Sequence, residues 1–141
     1  MNKKSWLKIA AGISFLMAIC QTIISISPAA AAYFQAPPAI LENRLKLFII
    51  GEGAALILFI FGLYALSGAK IIRLLPLLRP GLTGISILFL LRGLFILITI
   101  FKIIGVLPGE TLTQGVISHV VFLSAGIAFA VGTILNWNDM K

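Results

Sequence analysis

The chain has 141 residues, of which 60% are hydrophobic and only 11% charged, with a mean hydropathy of +1.14 and a formal net charge of +7. Soluble domains are roughly 45–50% apolar and about 25% charged, so this composition excludes an ordinary soluble domain and leaves room for one compact membrane domain only. The excess positive charge does not point to nucleic acid, because the basic residues flank apolar runs, where Lys and Arg set orientation and meet anionic head groups. The single cysteine, Cys20, excludes an internal disulfide and a CxxC metal cage.

Taken in order, a basic start (Lys3, Lys4, Lys8) leads into an apolar run over residues 7–26. A signal-peptide core spans about 7–15 residues, whereas about 20 at 1.5 Å each cross a bilayer core of about 30 Å. The run therefore predicts a retained spanning helix. Residues 27–46 form an outer loop punctuated by Pro28, Pro37 and Pro38. Pro38 suits a first helical position, and Glu42 stands four residues before Lys46, the favourable order for an ion pair on a helix. The second spanning helix covers 47–68. A basic loop follows over 69–81 with Lys70, Arg73 and Arg79, in which Pro76 and Pro80 limit helix continuation.

The third and fourth helices cover 82–101 and 116–137, joined by a turn rich in glycine and proline. Five matched positions, Lys70, Ile71, Ile72, Leu75 and Pro76 against Lys102, Ile103, Ile104, Leu107 and Pro108, form an echo at a spacing of 32, too short in so biased a composition to establish an inverted repeat. The fold class is all-α, a four-helix antiparallel transmembrane bundle in one domain, since the runs lack the alternation of a membrane barrel. Lys3, Lys4, Lys8, Lys70, Arg73, Arg79 and Lys141 fall on one side, against Arg44, Lys46 and Lys102 on the other. Seven against three places both termini in the cytoplasm. Trp6 and Trp137 then mark the cytoplasmic edge and Tyr33 the outer one.

Polar residues inside the runs are the site candidates. Counting 1.5 Å of rise per residue from the outer end of each run puts Gln21 and Glu52 about 7–8 Å deep, His119 about 4–5 Å and Arg92 about 13 Å. All four share one half of the membrane. A charge near the bilayer centre costs about 2.5–3.5 kcal/mol on insertion scales, so Glu52 and Arg92 are expected to face the interior, a partner or water. An ion pair between them is the obvious arrangement. Side chains lean towards their own helix N-termini, however, so on antiparallel helices Glu52 leans outward and Arg92 inward, and a direct pair needs a bend, a water or Gln21 between them.

Each candidate also has a packing role. Glu52 lies among Gly51, Gly53, Ala54 and Ala55, a small-residue surface on which a carboxylate can bind helices together. Gly126 with Ala130 and Ala128 with Gly132 are small-residue pairs on the fourth helix, faces for packing within the bundle or between copies. The GxSxG arrangement, phosphate-cradling glycine loops and a second ligand beside His119 are all missing, so catalysis, metal and cofactor are not called for.

Residues 62–95, GLYALSGAKIIRLLPLLRPGLTGISILFLLRGLF, resemble small bacterial inner-membrane proteins with four helices. That resemblance implies a multi-pass protein of the bacterial inner membrane and brings no catalytic residue. The run LENRLKLF, residues 41–48, looks a little like the membrane-associated glutathione and eicosanoid enzymes, which form trimers and bind glutathione between subunits. Their pattern wants an arginine three residues before Asn43, where Ile40 stands. The functional expectation is a non-enzymatic binding or accessory protein, holding a lipid head group or a partner helix at Gln21, Glu52, Arg92 and His119. Membrane lipids, and a second copy or another membrane protein, are the expected partners. A small oligomeric transporter using Glu52 and Arg92 is the alternative, and a glutathione-type enzyme the third.

Overall fold

The computed structural model describes residues 2–109 and 113–140; Met1, residues 110–112 and Lys141 lie outside them. The described residues form helices and no strands. Long helices α1 (Lys3–Ile26), α4 (Arg44–Gly68), α5 (Leu78–Ile103) and α6 (Thr113–Leu135) are each long and apolar enough to cross a membrane. Two short helices, α2 (Pro28–Tyr33) and α3 (Pro38–Leu41), occupy the connection expected to be irregular, and a 3-10 turn follows at Trp137–Asp139.

Local chemistry sets the breaks. Ser27 accepts from Ala30 N at 3.3 Å with Pro28 at the first helical position, which starts α2. Pro38 starts α3 as the sequence suggests, but Glu42 and Lys46 do not share a helix. Asn43 is extended between them, and its Oδ1 accepts from Leu45 N (3.0 Å) and Lys46 N (3.2 Å), so the chain restarts there as α4. Pro80 does not delay α5, because a proline in the first turn lacks only an N–H that would be unpaired anyway. The echo at a spacing of 32 has no structural counterpart either: Lys70 and Ile71 follow the end of α4, whereas Lys102 and Ile103 still belong to α5.

The four long helices run antiparallel. On α1 and α4, Gly62 lies against Phe15 and Gly51 against Ser25; on α5 and α6, Gly93 lies against Leu123 and Gly126 against Leu90. These two pairs stay closely packed along their length. A Cβ on Gly93 would come 2.6 Å from Leu123 Cα, which is why glycine is needed at that crossing. The small residues noted on α6 therefore pack inside the bundle, Gly126 against α5 and Gly132 against Leu7 of α1.

The pairs merge only in the half that holds both chain ends, called the near half below. There Gly68 meets both Leu7 and Leu82, and Asn136 Nδ2 donates to Lys3 O (2.9 Å) and Gly132 O (2.8 Å), tying the last turn to the first. The core lies in this half, around Leu7, Ala65, Leu82, Phe89, Ala125 and Phe129, all almost fully buried. Phe89 is its far boundary, with the rings of Phe61, Phe122 and Phe129 at 5.7, 5.5 and 5.4 Å.

Candidate functional site

Beyond Phe89 the helices part. On α4, Ile50, Ile57, Phe61, Tyr64 and Gly68 follow one another at spacings of three, four or seven and so share one face. Its near part meets α5 through Phe61–Phe89, Tyr64–Gly81 and Gly68–Leu82, yet Ile57 and Ile50 are exposed. On α5, Ile85, Phe89, Arg92, Ile96, Thr99 and Ile103 form the facing stripe. Ile85 and Phe89 are buried, and Arg92 and Ile103 are exposed. The two stripes thus touch up to Phe89 and are open beyond it, and the open space between their exposed far parts, called the cleft below, begins at Arg92.

Arg92 does not lean inward as its helix direction suggests. Register places it level with Ser124, since Gly93 faces Leu123 and Leu90 faces Gly126. Its guanidinium instead reaches outward along α5, with Nη1 3.1 Å from His119 Nδ1 and the charged carbon 5.7 Å from the Phe95 ring and 5.3 Å from that of Phe122. Two aromatic faces attract the cation, which offsets part of the cost of holding charge at this depth. Guanidinium has donors only, so Nδ1 must accept. The imidazole is then the neutral tautomer that carries its proton on Nε2, a second N–H beside the arginine.

Glu52 takes Ser25 as its partner, accepting from that hydroxyl across the α1–α4 contact, and the expected pair with Arg92 does not form. Helix phase is the reason. Glu52, Ala55, Leu56 and Phe59 share a face that, with Phe15, Ile19 and Thr22 of α1, lines a groove of about 370 Å³. That face is turned away from the α5-facing stripe. Glu52 is consequently a tie between α1 and α4, and its pair with Ser25 lies on a different side of the bundle from the pair of Arg92 and His119.

Gln21 belongs to neither pair. It lines a cavity of about 240 Å³ between α1, α4 and α6, together with Leu58, Phe34, Ser118 and Phe122. Phe122 is shared: it walls this cavity and seats the Arg92 guanidinium. Phe122 in turn packs against the Phe89 cluster and the buried near-half core.

Ser25, Phe95 and Phe122 were not singled out from sequence. The two phenylalanines had a signal, since each stands three residues after the polar group it serves, Arg92 or His119, on the same helix face. Among the described residues no three His, Cys, Asp or Glu side chains gather as metal ligands would. Comparison with protein-family models, curated proteins and solved structures finds no match for this chain.

Proposed function

We propose that the chain is a membrane protein that binds the acidic head group of a lipid or similar amphiphile at Arg92 and His119. One observation carries this reading: a guanidinium seated against two aromatic rings, whose protein partner is a neutral imidazole nitrogen. Of the described carboxylates, Glu52 is bonded to Ser25 on another face, Glu42 caps α3 and Asp139 lies at the near end. An anion in the cleft would neutralise the charge and accept from both Arg92 and His119 Nε2, in charge-assisted geometry. The exposed isoleucines of the two stripes, Ile50, Ile57 and Ile103, suit the apolar part of such a ligand.

Packing supports binding over conduction, because the transport alternative needs a path past the packed rings of Phe89, Phe122 and Phe129. The proposal includes location: a bacterial inner membrane, as the resemblance of residues 62–95 implies, with the basic near end in the cytoplasm on the strength of the Lys and Arg asymmetry. Native mass spectrometry of the chain purified in mild detergent tests the site. Acid-headed adducts are expected on wild type and on Glu52→Gln, with one bound molecule fewer per chain in Arg92→Leu. Wild type free of such an adduct, or the same number of bound acid-headed molecules in Arg92→Leu as in wild type, overturns the proposal.

A further inference from the structure

The connection between α4 and α5 has a conformation and a surface that the Arg92 site does not explain. Lys70 (φ 59°) and Leu77 (φ 55°) both adopt the left-handed region, which residues with side chains rarely enter. Ser67 holds the loop in this form, its hydroxyl donating to Arg73 O (3.1 Å) and accepting from Leu75 N (2.9 Å). The outcome is to turn apolar side chains outward. Ile71, Ile72 and Leu74 are exposed, and Leu77 is 77% exposed. In water such a surface would be a liability.

The loop sits where two spanning helices leave the bilayer, at the layer of head groups. Lys70 and Arg73 are exposed within it, and Arg79 follows in the first turn of α5. Arg79 lines a hollow of about 300 Å³ with Leu74, Leu77, Leu78 and Met140. Its Nη2 donates to Trp137 O at 2.9 Å, and its guanidinium lies 5.1 Å from the Trp137 ring, which fixes the cation at the rim. Lys3, Lys4 and Lys8 are exposed at the same end, where Asp139 is the one described acid.

We infer that residues 70–77 form an interfacial wedge that binds anionic phospholipids of the leaflet at the near end. Ile71, Ile72, Leu74 and Leu77 enter between acyl chains, while Lys70, Arg73 and Arg79 meet the phosphates. Charge complementarity selects the lipid class, because a zwitterionic head group returns a positive charge to this crowded basic surface. The occupant is a lipid and not a soluble acidic protein, since the apolar side chains lie at the depth where the chain's own bilayer already is. This site is independent of Arg92.

Native mass spectrometry of the full chain in detergent, with phosphatidylglycerol and phosphatidylcholine added in equal amounts, tests it. Wild type should take up phosphatidylglycerol in preference, and each of Lys70→Gln and Arg73→Gln should weaken that uptake about fivefold. Leu77→Gly, which suits the backbone but removes the wedge, should lower uptake of both lipids and keep their ratio. Arg92→Leu should leave the preference intact, so the two sites fail separately. Equal uptake by wild type, an unchanged Lys70→Gln/Arg73→Gln double variant, or loss of preference in Arg92→Leu overturns the inference. Should the loop variants lose helix content by circular dichroism, ionic strength decides on wild type alone: the preference must fall as salt rises, and a salt-insensitive preference also overturns it.

Discussion

In the near half of the bundle all four spanning helices share one core, whereas in the far half the same helices run as two separate pairs. The glycine contacts Gly68 on Leu82 and Gly132 on Leu7 cross between the pairs in the near half, and Gly51 on Ser25 and Gly93 on Leu123 stay within a pair in the far half. Polar chemistry follows the division. The far half holds Gln21, Glu52, Arg92 and His119 beside a cavity and a cleft, and the near half holds a cluster of phenylalanines and alanines. The shared apolar core and the Arg92–His119 pair are thus spatially separated. The helices can part in the far half because their other ends are held together.

Phe89 stands at the boundary, so its removal should have the largest effect. Phe89→Ala takes away the ring that touches Phe61, Phe122 and Phe129 and is expected to cost about 3–5 kcal/mol, read as reversible unfolding in detergent. A cost under about 1 kcal/mol would mean that the near half is not the common core. Next is a matched pair of glycine changes. A Cβ on Gly132 would meet Leu7 Cγ at 2.7 Å, while one on Gly53 meets nothing within 4 Å. Gly132→Val should therefore destabilise by about 1–3 kcal/mol and Gly53→Val by less than about 0.5 kcal/mol. Equal effects would remove the distinction between a between-pair contact and an open face.

Four apolar runs and their antiparallel order were legible because hydropathy and length alone decide what crosses a bilayer. Helix phase was not. These helices are apolar on every side, so no polar stripe marks which face of α4 turns to α5, and Glu52 could be given a depth but not a direction. Its partner Ser25 lay unmarked among the small residues of α1. Arg92 shows the converse failure: the general lean of helical side chains towards the N-terminus was outweighed by two aromatic rings and an imidazole on the far side. Asn43 carried a readable capping signal, yet the pairing rule for Glu42 and Lys46 assumed one continuous helix through it.

Double-mutant cycles sharpen the division between the two polar pairs. Arg92→Leu with His119→Ala should show a coupling of about 0.5–1.5 kcal/mol, because each removes the other's hydrogen-bond partner. The cycle of Glu52→Gln with Arg92→Leu should be additive within about 0.5 kcal/mol, as for groups that share no partner. Coupling in the second cycle and none in the first would join the pairs into the single cluster that depth alone suggests.

Ser25→Ala should give the smallest effect. The change deletes one hydroxyl that bonds Glu52 across α1 and α4, and hydrogen bonds between membrane helices average about 0.6 kcal/mol, reaching about 1.7. The α1–α4 contact is otherwise apolar and close, with Gly51 and Gly62 admitting Ser25 and Phe15, so it should survive the loss. Measured in the same detergent unfolding assay, a cost near 0.6 kcal/mol with Arg92-dependent binding unchanged would make Glu52 a tie within one pair. A loss of binding in Ser25→Ala would instead mean that the α1–α4 groove and the α4–α5 cleft respond to one another through α4, and that the far half acts as one site.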